Sequence, residues 1–138
     1  MATTQEVLAA MLARDSFTEW LGITIDEHRD GYCRLHYTIR PEMLNGFGIA
    51  HGGILFSAAD SAFAFACNAD GQLTVALDVT ISFVKTATAG DVLSVEAREV
   101  HKGNKTGFYD ITISNQHGDL IALFKGTGYR TGRNIVGE

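Results

Sequence analysis

The chain is expected to fold as an α+β domain in which a curved antiparallel sheet of five or six strands wraps one long apolar helix. Three observations carry that expectation. Residues His51 to Asn68 read as a helix that is apolar around most of its circumference, the pattern of a helix buried nearly all round. From Thr74 to Phe83 the period changes to two, with Val75, Leu77, Val79, Ile81 and Phe83 alternating with mostly polar residues. Three more strand-like runs follow, separated by Gly90-Asp91, Gly103-Asn104 and His117-Gly118-Asp119, which is the pattern of a meander.

Taken in order, residues 1–20 form an amphipathic N-terminal helix, with Thr3 or Thr4 as cap and Val7, Leu8, Met11, Leu12 and Phe17 on its apolar stripe. Gly22 to Asp30 and Tyr32 to Arg40 read as two strands joined at Asp30-Gly31, a dipeptide suited to a tight hairpin turn. In the second strand Cys33, Leu35, Tyr37 and Ile39 mark the buried face. Pro41 ends it, and residues 42–50 form an irregular connection to the long helix. Residues 131–138 read as a frayed tail, and the whole of 1–138 as one domain. A single sheet of this size covers only part of an apolar helix, so a second copy of the chain is expected to cover the rest.

Eleven basic and sixteen acidic residues give a net charge of −5, which does not suit a nucleic-acid or anionic membrane surface. No run is long enough to cross a membrane and no targeting segment is visible. With two cysteines and no pairing implied by sequence, a reduced, cytoplasmic setting is the simplest reading. The five histidines show no i, i+4 or Cys-paired spacing, so no metal site is expected.

The long helix nevertheless keeps polar groups, and they are not scattered. Ser57, Asp60, Ser61 and Asn68 fall on one stripe with the small Ala64 between them. A carboxylate on such a helix needs a partner or a task, and two readings stand for Asp60: an ion pair with Arg34 or Arg40, or a reactive group. At the helix entrance, Gly52 and Gly53 leave backbone N–H groups uncovered at the positive end of the dipole, where they suit a polarised carbonyl, although such glycines also serve a tight turn. About two turns apart on one helix, the carboxylate and the donors can address one small reaction centre.

Asn45, His51-Gly52-Gly53, Asp60-Ser61, the run Phe63 to Asn68, Gly90-Asp91, the segment His101 to Gly107 and the run Ala122 to Gly126 together resemble the hotdog-fold acyl-CoA thioesterases, within them the phenylacetate-degradation, PaaI-like group. The resemblance extends from about Trp20 to Arg130. It implies a hotdog fold and hydrolysis of an acyl-CoA thioester, with an aryl-acetyl or ring-hydroxylated phenylacetyl group as the expected acyl part; a broad short- or medium-chain acyl-CoA hydrolase and a non-catalytic acyl-CoA-binding regulator are the alternatives. It also implies a homotetramer of hotdog dimers with each site shared by two subunits, and no cofactor beyond the coenzyme A of the substrate. Position by position, Gly52 would polarise the carbonyl through its N–H, with Gly53 beside it, and Asp60 would be nucleophile or general base. Asn45 would orient water or substrate, His51 would buttress the turn near the thiol leaving group, and Ser61 would stand beside the catalytic acid.

A thioester needs little more than this, since its carbonyl is electrophilic and its thiolate leaves readily; an oxygen nucleophile and donors for the oxyanion suffice. The phosphates of such a substrate would need a local cluster of positive charge. Lys85 and the turn Lys102, Gly103, Asn104, Lys105 and Thr106 offer charge and backbone donors, or are only a solvated hairpin end. Phe56, Phe63, Phe65 and Phe83 are the aromatic candidates for the acyl pocket, though not all can face it.

Overall fold

The computed structural model describes residues 1–137, and its N-terminal segment forms two helices where the sequence suggested one. Helix α1 spans Thr4–Leu12 and α2 spans Ser16–Leu21. Thr3 caps the first: its hydroxyl accepts from the Glu6 N–H, and the Glu6 carboxylate accepts from the Thr3 N–H. Asp15 causes the break. Its Oδ1 accepts from the Thr18 N–H at 3.0 Å and its Oδ2 from the Thr18 hydroxyl at 2.7 Å, so the chain starts a new helix there.

Strands β1 (Thr24–Arg29) and β2 (Tyr32–Thr38) pair antiparallel across the expected Asp30-Gly31 turn. A 3₁₀ turn at Pro41–Met43 leads through the irregular connection to α3, Gly52–Cys67. Then come β3 (Gln72–Phe83), β4 (Val92–Lys102), β5 (Thr106–Ser114) and β6 (Leu120–Asn134). All six strands form one antiparallel sheet in the order β1-β2-β4-β5-β6-β3, wrapped on α3 in the hotdog arrangement. The alternation read in β2 holds: Cys33, Leu35 and Tyr37 are buried, together with Leu93, Val95 and Ala97 of β4 and Ile111 and Ile113 of β5. From α3, Leu55, Ala58, Ala59, Ala62, Phe63, Phe65 and Ala66 fill the same core. Small residues on the helix bring its axis close to the sheet, and the larger aliphatic side chains of the strands take up the space.

Two features bound the helix. Asn68, 4% exposed, follows its last turn; its Nδ2 donates to the carbonyls of Ala64 at 2.9 Å and Thr74 at 3.1 Å, and its Oδ1 accepts from the Thr74 N–H at 2.7 Å. This residue was expected on the polar stripe of the helix and is instead a buried clamp that joins the end of α3 to β3. The tail expected to fray from Thr131 is strand as far as Asn134: the Thr131 hydroxyl donates to the Leu73 carbonyl at 2.7 Å, and the Ile135 N–H to the Gly71 carbonyl at 2.9 Å. Glu138, the last residue of that expected tail, lies outside the described residues.

Strand β3 ends the sheet with its outer edge unpaired within the chain, and a bulge between Ala76 and Asp78 leaves Leu77 63% exposed. On β6, Gly126 and Gly128 let other groups approach the backbone. A Cβ at Gly126 would stand 2.9 Å from the Phe63 ring, and one at Gly128 would stand 2.7 Å from the Thr74 methyl. Gly126→Ala is therefore expected to destabilise the fold by about 1–3 kcal/mol through overpacking. A urea titration reads this as a lower midpoint with an unchanged slope.

Candidate active site

Helix α3 starts at His51, whose backbone is extended (φ −61°, ψ 135°) and whose Nδ1 accepts from the Gly53 N–H at 2.9 Å. The N–H groups of His51 and Ile54 donate to the Met43 and His51 carbonyls, each at 2.9 Å. The Gly52 N–H has no acceptor among the described residues. It opens into a crevice of about 270 Å³ lined by Asn45, Ile49, Leu55, Phe83, Val84 and Lys85. The connection before the helix and the segment after β3 form its two walls, held together by an Ala50 N–H to Ala87 carbonyl bond of 2.7 Å. Phe83, 55% exposed, lies directly against Gly52: a Cβ there would be 3.1 Å from the tip of its ring.

Asn45 lines the crevice with half of its amide engaged. Its Oδ1 accepts from the Phe47 N–H at 2.9 Å and the Ile49 N–H at 3.4 Å, folding the loop on itself. Its NH₂ group has no acceptor among the described residues, so Asn45 can meet a substrate or water only as a donor.

Asp60 sits half-buried on α3 with no hydrogen bond or ion pair among the described residues. The pairings considered for it are used elsewhere. Arg34 reaches Glu27 at 3.3 Å; Arg40 holds Glu42 at 3.0 Å and the carbonyls of Trp20 and Leu21 that end α2. Burial without a partner pushes the Asp60 carboxyl above its ordinary 3.8. The half-open stripe around it consists of Gly53, Ser57, Ser61 and Ala64. Ser57 donates to the Gly53 carbonyl at 2.7 Å, and Ser61 lies 3.4 Å from the Thr18 hydroxyl, so it ties α2 to the helix.

Within one chain, Asp60 and the Gly52 N–H do not meet. Eight residues of helix separate them by about 12 Å along the axis. The N–H points away from Asp60, so a carbonyl oxygen bound to it lies about 3 Å further off. The expectation that both address one centre from one helix fails on this distance.

The positive charges divide in the same way. Lys85 stands at the rim of the crevice in an exposed pair with Asp119 at 3.0 Å, the kind of pair that exchanges readily with solvent or another anion. Lys102 is engaged at the other end of α3, 3.1 Å from Asp30 and 3.2 Å from Asp70, where Arg130 also reaches Asp70 at 2.9 Å. Burial opposes ionisation of the Asp70 carboxyl, but the Gln72 N–H at 3.0 Å, with Arg130 and Lys102, holds it below its ordinary value. The Gly103 N–H donates to the Thr106 carbonyl at 2.8 Å, closing the turn, and the Lys105 carbonyl accepts from Arg130 N–H. Asn104 and the Lys105 ammonium form no hydrogen bond or ion pair among the described residues. Of the four phenylalanines, Phe63 and Phe65 are core, Phe56 packs on the Phe124 ring at 5.4 Å, and Phe83 alone lines the crevice. Ile49 and Val84 line it too; both lie in irregular segments without a periodic signal in the sequence.

The family model described as the thioesterase superfamily matches residues 47–122. The chain is 44% identical to the acyl-coenzyme A thioesterase PaaI of Escherichia coli, over 94% of this chain and 92% of that one. Its backbone superposes on the structure of that protein, from the phenylacetic acid degradation operon, with a TM-score of 0.92 over 95% of each chain. A thioesterase protein from Streptococcus pneumoniae solved with coenzyme A is 30% identical, with a TM-score of 0.78 over 81% of this chain and 90% of that one.

The unpartnered carboxylate has a consequence for stability. Because the folded chain raises the Asp60 pKa, ionising it costs more in the folded state than in the unfolded one. That cost is absent below the unfolded pKa and complete above the folded one. Asp60→Asn is therefore expected to raise Tm at neutral pH by a few degrees, with the gain disappearing as pH falls below about 4. Calorimetric scans of both proteins between pH 3 and 8 check it.

Proposed function

Because the chain belongs to the thioesterase superfamily and is a thioester hydrolase, we propose that it cleaves acyl-CoA thioesters, with aryl-acetyl or ring-hydroxylated phenylacetyl groups as the preferred acyl part. The observation that carries this reading is the Gly52 N–H, a helix-start donor without an acceptor, opening into an apolar crevice. The thioester oxygen docks on that N–H, which stabilises the oxyanion as it forms. Asp60 attacks the carbonyl carbon or draws a proton from the water that does. The C–S bond then breaks and the thiolate leaves to be protonated; where Asp60 is the nucleophile, water then cleaves the acyl–Asp60 anhydride to free acid and regenerates the carboxylate. The amide of Asn45 donates to the water or the substrate from the crevice wall, and Lys85 exchanges Asp119 for a phosphate at the rim. Phe83 gives the crevice an aromatic wall suited to an aryl group. The acyl preference also draws on the likeness to the E. coli protein.

The distance between Gly52 and Asp60 on one helix supports a homo-oligomer in which Asp60 of one copy faces Gly52 of another. The half-open stripe of α3 and the unpaired edge of β3 are the surfaces such a partner would cover.

Thiol release from a panel of acyl-CoA esters tests the reading. The native chain is expected to give a higher kcat/KM for aryl-acetyl than for hexanoyl esters, and Asp60→Asn to lose two or more orders of magnitude in kcat while still binding. Equal turnover by both proteins would make Asp60 structural. Gly52→Pro removes the one N–H; the first turn after an already extended residue accepts its backbone, and the Phe83 ring, 3.1 Å from where a Cβ would stand, must swing aside for it. It is expected to lower kcat by roughly 10²–10³-fold. Mixing Asp60→Asn with Gly52→Pro subunits should restore roughly a quarter of native activity if sites are shared, since random pairing leaves one intact site in each mixed dimer. A site built from one chain alone would restore none.

A further inference from the structure

The start of α3 carries four backbone N–H groups that no preceding helical turn can satisfy, those of residues 51 to 54. Three are engaged: His51 to the Met43 carbonyl, Gly53 to His51 Nδ1 and Ile54 to the His51 carbonyl, each at 2.9 Å. The middle bond also fixes the imidazole. A ring nitrogen that accepts a hydrogen bond carries no proton, so the neutral ring of His51 holds its proton on Nε2. Gly53 is fitted to that ring, because a Cβ there would stand 3.1 Å from Nδ1 and 3.4 Å from Cε1.

We infer that His51 is a positioning residue: its Nδ1 holds the Gly53 N–H, leaving the Gly52 N–H as the single donor through which the helix start addresses the thioester carbonyl. The inference rests on the thioesterase reading above and deepens it. A helix start with two open donors offers the oxyanion two competing positions, only one of which is aligned with the nucleophile. With Gly53 closed by the ring, the positive end of the helix acts through one N–H. In this role the ring transfers no proton, since protonation of Nδ1 would release the Gly53 N–H.

Three variants of the full chain separate this role from acid–base chemistry. His51→Ala removes the accepting nitrogen, and Gly53→Ala leaves it in place but presses the ring away. His51→Asn keeps the cap, because Asn Oδ1 occupies the place of Nδ1 and accepts from the same N–H. The first two are expected to lower kcat by roughly ten- to a hundredfold with much smaller changes in KM, and His51→Asn to recover most of the kcat that His51→Ala loses. In the native chain, ¹⁵N chemical shifts of the ring should place the proton on Nε2.

His51→Asn as slow as His51→Ala, or a proton on Nδ1, overturns the inference and makes the ring a reacting group. Full activity in His51→Ala overturns it as well. Should the alanine variants fail to fold, the asparagine variant and the ring shifts decide alone. A native chain that releases no thiol from any ester would overturn the thioesterase reading, while the ring shifts would still decide the cap.

Discussion

The structure depends on the burial of one helix by a sheet that cannot enclose it. Helix α3 has alanines and large apolar residues on most of its faces, and a curved antiparallel sheet, with Leu21 of α2 beside it, covers most of them. Six strands wrap the faces that carry Leu55, Ala58, Ala62, Phe63 and Ala66 and leave one strip, from Gly53 through Asp60 to Ala64, half open. The groups that suit chemistry lie on that strip or at the helix start. The covered faces fix where the open ones are, so the geometry of the site follows from packing.

The uncovered strip also explains why its carboxylate is unusual. Three other carboxylates on the chain show the contrast: Asp70 has Lys102 and Arg130, Glu27 has Arg29 and Arg34, and Asp119 has Lys85. Asp60 has burial without compensation. Its neighbours on the helix are small or have hydroxyls already directed to the Gly53 carbonyl and the Thr18 hydroxyl. A group left in that state is destabilising for the fold and basic for its type, which is the combination an acyl hydrolase can use.

Much of this was legible in the chain because it rests on period and on glycines. The change from helical to two-residue period after Asn68, the turn at Asp30-Gly31 and the isolated Asp60 are local facts that tertiary contacts did not override. What escaped the sequence rests on particular side-chain bonds. Asp15 reads as one more polar residue of an amphipathic helix until its two oxygens are seen on Thr18. Thr131 reads as a tail until its hydroxyl meets Leu73. Lys102 and Lys105 look alike in the turn, yet one is held by Asp30 and Asp70 on distant elements. The walls at Ile49 and Val84 come from irregular backbone, where no period announces which side chain turns inward.

Asn68 shows how narrow sequence tolerance becomes where a side chain stands in for backbone. It gives hydrogen bonds to two carbonyls and takes one from an N–H, all within a nearly dry site. Aspartate matches its shape but cannot give, and leucine matches its volume but can do neither; each would strand buried peptide groups at the junction of helix and edge strand. In a randomised library selected for new acyl preferences, the crevice walls can drift while this codon stays fixed. The edge of the sheet is thus anchored independently of whatever substrate the crevice comes to hold.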